Sequence, residues 1–368
     1  DRQLDDSPPR VDLNVRLEPR PPNTYQGTIG IGSDTGPRVL FNWNRHHITD
    51  RGDSFTLGTG WQDHNNEFLV RGSYRIPRDT RTRQFWIAEA LLKRETEELK
   101  IRDIEEEGEV LYNLGNVHIE DYSFRVGRMR VHDRRQGFRQ LFETLYAETL
   151  YERLDFSPRG GDGEIPPETR TELNNSDLSD DLVTLSLGID LDMPFTQGRG
   201  FDAVGVHHRG WAFASNEAWS SDRDFIQVYL SSRWVHRAGE RWKFLLRGEA
   251  GYTDADVENI QVPVDDVLVN ISVTQLPNLY RFKAGGSTSV RGYDFESLSD
   301  SNLGSNNIFT ASAEVEYQVF ADWSLAAFYD VGNAFNSWSD PDLKQGVGVG
   351  IRWYSIAGAV RVDYAKAL

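Results

Sequence analysis

Some fifteen segments of this chain alternate apolar and polar residues with a period of two, and helical periodicity is scarce. Successive side chains of a strand point to opposite faces, so the pattern dictates an all-β fold whose strands carry one apolar and one polar face. In 68–76, Phe68, Val70, Tyr74 and Ile76 oppose Arg71, Ser73 and Arg75. In 226–234, Ile226, Val228, Leu230 and Trp234 oppose Gln227, Tyr229, Ser231 and Arg233. Further on, Val315 and Tyr317 oppose Glu314 and Glu316, and Val347, Val349 and Ile351 oppose Gly348, Gly350 and Arg352. The polar faces thus repeat Arg, Glu and Gly, and several apolar faces end in Trp or Tyr, as the aromatic girdles of a transmembrane barrel do. A water-soluble β-sandwich shows the same alternation. Strand length favours the barrel, because 82–97 and 137–154 read as strands well beyond the usual ~5–6 residues.

Composition removes several function classes. The net charge of -17 argues against a broad nucleic-acid surface. There is no Cys, hence no disulfide, thiolate metal site or cysteine nucleophile. No apolar run reaches the ~20 residues of a membrane helix, but a transmembrane strand needs only about 9–11. The carboxylates are too scattered to nominate an acid/base pair, and no GxSxG elbow is present. His46-His47 and His207-His208 are adjacent pairs that a strand turns to opposite faces, which makes each a poor metal site. The expectation is a non-enzyme with no catalytic residues, no metal and no cofactor.

The strands read as 24–33, 36–48, 53–64, 66–77, 82–97, 118–131, 137–154, 179–194, 203–217, 224–238, 241–254, 306–320, 323–335, 344–356 and 358–368. Single-chain bacterial barrels have an even number, so a closing C-terminal strand beyond 363–368 is the expected absentee. The chain opens without a signal peptide in a polar, Pro-containing segment, as a mature or trimmed fragment does. Residues 1–19 read as the remnant of a preceding periplasmic domain and linker, and 20–368 as the barrel. The stretch 157–180 reads as a long exposed loop, and 98–116, charged around DIEEEGE, fits no element. Residues 255–305 form the longest non-repeating connection, of a length that usually has a function.

Within that connection, 281–293 reads RFKAGGSTSVRGY. Gly285 and Gly286 permit a sharp turn or a close backbone approach. An arginine at a compact loop tip suits packing in a barrel lumen, paired bidentately with carboxylates; a solvated surface loop is the alternative. The segment resembles the signature loop of the BamA/TamA outer-membrane assembly family, whose sixth extracellular loop folds into a 16-stranded barrel and carries a Val-Arg-Gly-Tyr/Phe motif, here Val290, Arg291, Gly292 and Tyr293. Arg281-Phe282 and Gly285-Gly286 match as well, as do GIGSDTGPR at 30–38 with the following Trp43, SAEVEYQ at 312–318, FYDVGNAF at 328–335, GVGVGIRW at 346–353 and GAVRVDYA at 358–365. The SDTGPR hairpin and the 221–225 segment bring the TamA-type branch nearest.

The resemblance implies a transmembrane antiparallel barrel in the cell outer membrane, N-terminus toward the periplasm, with the loop inside the lumen. It implies that Glu316 and Asp330 hold Arg291, with Glu314, on the same polar face, in reserve. It also implies a lateral seam at the first strand, about 25–33, where Tyr25, Gly27, Gly30 and Gly32 lie. Those glycines offer few side-chain contacts and would weaken closure, or serve only to relieve curvature. The implied work is insertion or secretion of unfolded outer-membrane clients such as autotransporters, in contact with the lipid bilayer and with a TamB-like partner anchored in the inner membrane. A BamA-type general assembly barrel and a dedicated secretion barrel of the two-partner or patatin type are the alternatives. The resemblance also implies upstream periplasmic domains, of which 1–19 would be the remnant, and a last strand with a terminal aromatic, the expected absentee.

Overall fold

A computed structural model describes residues 21–79, 82–105, 108–134, 139–156, 167–176, 181–264, 267–299, 303–355 and 358–368. The expected remnant at 1–19 lies outside them. The strands are β1 (Asn23–Gly32), β2 (Gly36–His46), β3 (Ser54–Gln62), β4 (Glu67–Asp79), β5 (Gln84–Glu105), β6 (Gly108–Arg134), β7 (Arg139–Asp155), β8 (Leu182–Gln197), β9 (Val204–Ser215), β10 (Phe225–Ala238), β11 (Trp242–Asp254), β12 (Val257–Val264), β13 (Val267–Thr274), β14 (Asn307–Phe320), β15 (Trp323–Phe335), β16 (Lys344–Ser355) and β17 (Gly358–Ala367), with one α-helix, α1 (Pro167–Asn175). Fifteen strands form one antiparallel sheet in the order β1 to β11 and then β14 to β17; β12 and β13 pair apart as a hairpin. Among the described residues, β1 pairs only with β2, and β17 only with β16.

The alternation distributes side chains inside out relative to a soluble sheet. Ile226, Val228, Leu230 and Trp234 are about half exposed on the outer face of β10. The charged Glu314, Glu316, Asp330 and Arg352 are buried on the inner face. An apolar band outside and an ionic interior are what a barrel in hydrocarbon needs.

Two contacts show how far the sheet curls. Ser287 N–H donates to Asp34 Oδ2 at 2.8 Å, in the turn after β1. Gly292 lies against Lys366 and Ala367 at the end of β17. In a flat sheet, fourteen strand spacings would separate those places by about 67 Å. The five Cα–Cα steps from Ser287 to Gly292 reach at most about 18 Å. The sheet is therefore rolled up, with its first and last strands brought near one another.

Three expectations are corrected. The charged stretch 98–116 is the distal part of the β5–β6 hairpin, whose pairing runs from Gln84↔Arg130 out to Glu105↔Gly108. The long connection is not structureless, since β12 and β13 form an eight-pair ladder within it. The loop at 157–180 carries helix α1, whose Leu173 is buried. These elements share one core: Leu99 and Val117 of the hairpin extension, Phe156 after β7, Leu173 of α1, and Val262 and Val273 of the β12–β13 pair. Apolar residues alternate along β12 and β13 because one face of that ladder must cover this core, which caps one end of the barrel.

Candidate functional site

The segment between β13 and β14 enters the lumen by folding on itself. Phe282 exchanges two backbone hydrogen bonds with Ser305, and Ala284 two with Leu298. Its root is tied to the opposite wall. Asn278 donates through its side chain to Glu95 Oε1 at 2.9 Å and through its backbone to Glu152. Lys283 pairs with Glu97, and Phe282 stacks on Tyr229, which in turn stacks on Trp211. Lys283→Met strands the buried Glu97 carboxylate. We expect the root to weaken by on the order of 2 kcal/mol, read as a lower urea midpoint with faster proteolysis at 276–299; an unchanged midpoint would discount this anchor.

At the tip, Gly285, Gly286 and Gly292 all adopt positive φ, where a side chain would be strained. A Cβ on Gly292 would also stand 2.8 Å from the Ala367 nitrogen. Val290 is fully buried, and Tyr293 donates its hydroxyl to the Gln345 carbonyl at 3.3 Å. These turns aim Arg291 at β14–β17. Its Nε donates to Asp330 Oδ2 at 2.7 Å and its Nη2 to Asp330 Oδ1 at 3.0 Å. Nη2 also reaches Ser312 Oγ at 3.4 Å. Nη1 donates to Glu314 Oε2 at 2.6 Å and reaches Asp363 Oδ2 at 3.5 Å. All five guanidinium N–H groups thus have acceptors, and the backbone N–H of Arg291 adds a bond to Asp330 at 3.1 Å. The guanidinium lies 3.3 Å from the centroid of the Phe328 ring.

A second arginine completes the network. Arg352, fully buried, donates to Glu314 Oε1 at 2.7 Å and to Asp363 Oδ1 at 2.5 Å. Charges alternate along Asp330, Arg291, Glu314, Arg352 and Asp363, so every buried ion has a partner of opposite sign.

The structure places Asp330 and Glu314 on Arg291, but not Glu316, a correction to the expected pairing. Ser312 stands opposite Asp330 and Glu314 opposite Phe328, so Arg291 sits across those two rows. Glu316 is one pleat further, about 7 Å along β14. It accepts instead from Tyr354 at 2.5 Å and Ser324 at 3.1 Å. Arg352, Asp363, Ser312 and Phe328 are partners that sequence reasoning missed. The GVGVG run was the available signal. It puts Gly346, Gly348 and Gly350 on the inner face of β16, and a Cβ there would collide with the Arg291 carbonyl, the Phe328 ring and the Asp363 carboxylate respectively.

On the other side, Gly286 and Ser287 lie on Asp34, and Phe295 packs edge-on to His64 at 5.0 Å. Burial alone would raise the Asp34 carboxyl, but the hydrogen bonds from Ser287, with those from the backbone of Asp34 and Thr35, together outweigh it and hold the group below its ordinary value. The tip thus touches both ends of the sheet. Those ends are open: Ile29 and Ile31 of β1 are 85% and 84% exposed, and Tyr364 of β17 is 76% exposed, against 48% for Val228 within the sheet. Tyr25 stacks on Phe41. Of the first-strand glycines, Gly27 has open space where a side chain would go, whereas Gly30 and Gly32 face Arg38 and Thr35 of their own hairpin.

The stretch holding the clasped arginine and its carboxylates is also where a known family model matches. Residues 201–368 match the Omp85 superfamily domain. Among solved structures the fold is similar to BamA from Haemophilus ducreyi lacking POTRA domains 1–3, with a TM-score of 0.63 at 14% identity over 95% of this chain and 67% of that one. It is also similar to CdiB from Escherichia coli, with a TM-score of 0.55 at 12% identity over 96% of this chain and 60% of that one. The chain thus spans between three-fifths and two-thirds of these two solved chains. The likeness to the BamA/TamA family read from the sequence is supported at the level of the Omp85 superfamily; neither match narrows it to the TamA type.

Proposed function

We propose that this Omp85 barrel lies in the outer membrane, with its N-terminus toward the periplasm, and assists insertion or secretion of β-barrel clients such as autotransporters. Its lateral seam is the first strand, and its partners are the unfolded clients, the bilayer and a TamB-like protein anchored in the inner membrane. The observation that carries this reading is a single loop tip touching both open ends of the sheet. An unpaired strand edge in hydrocarbon is costly. A client strand that pairs with such an edge avoids the cost by β-augmentation. A passive pore has no use for a lumen filled by an ion-paired loop. A BamA-type general assembly barrel or a dedicated secretion barrel would use the same parts with different upstream domains.

The test is a cross-linking scan in membranes with the full-length protein, using single cysteines through 25–33 and in the strand that closes against it. The described chain has no Cys, so it adds no background. Disulfide locking is expected to abolish client assembly, with reduction restoring it. Normal assembly by locked protein would rule out the lateral route and leave passage through the lumen.

A further inference from the structure

Away from the seam, the outer face of β4–β7 is not smooth. Ala88 and Ala147 leave a hollow between Trp86, Val126 and Leu145, forming an almost wholly apolar groove of about 530 Å³. Its one charged lining residue is Arg128, which stands directly opposite Trp86. Two more arginines gather at this end. Arg130 is the next outward residue of β6, and Arg78 lies 5.2 Å over the Trp86 ring. Among the described residues, neither Arg128 nor Arg130 has an ion-pair partner. Glu143, opposite Arg130, pairs with His132 at 3.0 Å. Positive charge is therefore in excess beside an apolar trough. This is the end of the short turns, between β4 and β5 and between β6 and β7, away from the cap, and in a barrel short turns face the periplasm.

We propose that the groove is a binding site for an anionic phospholipid of the periplasmic leaflet, resting on the membrane reading above. One acyl chain lies over Ala88 and Ala147, and the phosphate is held by Arg128 and Arg130 with Arg78 beside it. The chemistry is complementary on both counts. Arginine matches a phosphate bidentately, and the small residues give the chain a seat that larger side chains would fill. A neutral zwitterionic lipid fits the trough but gains little from the arginines.

The full chain is reconstituted into phosphatidylcholine vesicles containing either brominated phosphatidylglycerol or brominated phosphatidylcholine. Fluorescence quenching in the native protein, minus that in Trp86→Phe, reports lipid at the groove. We expect the brominated phosphatidylglycerol to be preferred by about five-fold per arginine engaged, and Arg128→Gln with Arg130→Gln to abolish the preference. Ala88→Leu should reduce quenching by both lipids. Equal quenching of the inserted native protein by the two lipids overturns the lipid site alone, and it needs no variant of the charge or the groove to fold. Failure to insert into any vesicle strikes instead at the membrane reading.

Discussion

Replacing Arg291 with methionine is expected to release the loop from the lumen and to cost about 3–5 kcal/mol. The size follows from burial. Asp330 and Glu314 are almost fully shielded from solvent and lose their shared counter-ion together. Arg352 still holds Glu314 and Asp363, but Asp330 keeps as hydrogen-bond donors only the Ser312 hydroxyl and the loop's backbone N–H, with the Arg247 charge nearby. Asp330→Asn is therefore expected to be nearly as harmful, and Glu316→Gln much less so. Arg291→Lys falls between, because an ammonium cannot supply five donors in a planar fork. Urea midpoints of the folded barrel, together with protease cleavage at 276–299, rank the four variants. A Glu316→Gln variant as damaging as Asp330→Asn would contradict the assignment.

Gly346→Val offers the complementary experiment, since it evicts the loop without removing a charge. Its Cβ would strike the Arg291 carbonyl, which is backbone and has nowhere to rotate. Valine is itself a better strand residue than glycine, so β16 keeps its pairing while the docked loop loses on the order of 1–3 kcal/mol to overpacking. The expected result is a barrel that still resists heat during electrophoresis but whose loop is cut readily. Gly348→Val would press on the Tyr364 backbone carbonyl as well as on the Phe328 ring, so it should loosen the β16–β17 pairing along with the loop. A loop as protected as in the native protein would mean that the β16 trench is not its seat.

Much of the sheet was legible because period-2 alternation survives wherever one face meets an apolar surroundings. Fifteen strand segments read from the sequence meet the fifteen strands of the large sheet. The reading fails where that contrast fades. The β5–β6 extension is charged along 98–109, so its strand character leaves little trace. The β12–β13 ladder does alternate, as in VENIQVPV, but its length hid it inside a presumed loop. At the site, parity placed Glu314, Glu316 and Asp330 on the inner face. It could not say which pleat faces Arg291. That depends on register, which the turn at 321–322 and the irregularity between Gln318 and Phe320 determine. Asp34 and Asp363 were legible as residues of matching segments but not as partners, because the contacts that use them span 253 and 72 positions of sequence.

The loop tip also imposes an order of events on any widening of the gap between β1 and β17. Only five Cα–Cα steps separate Ser287 from Gly292, so the ends cannot separate far before one attachment gives way. The two attachments are unequal. On the β1 side Ser287 alone holds Asp34, with Phe295 leaning on His64. On the other side there are five guanidinium bonds and a buried valine. The weaker side parts first, and the loop then travels as cargo of the C-terminal rim. Any such widening would leave the N-terminal hairpin to swing on its own, so it would be carried by β1 and β2 rather than shared equally between the two banks.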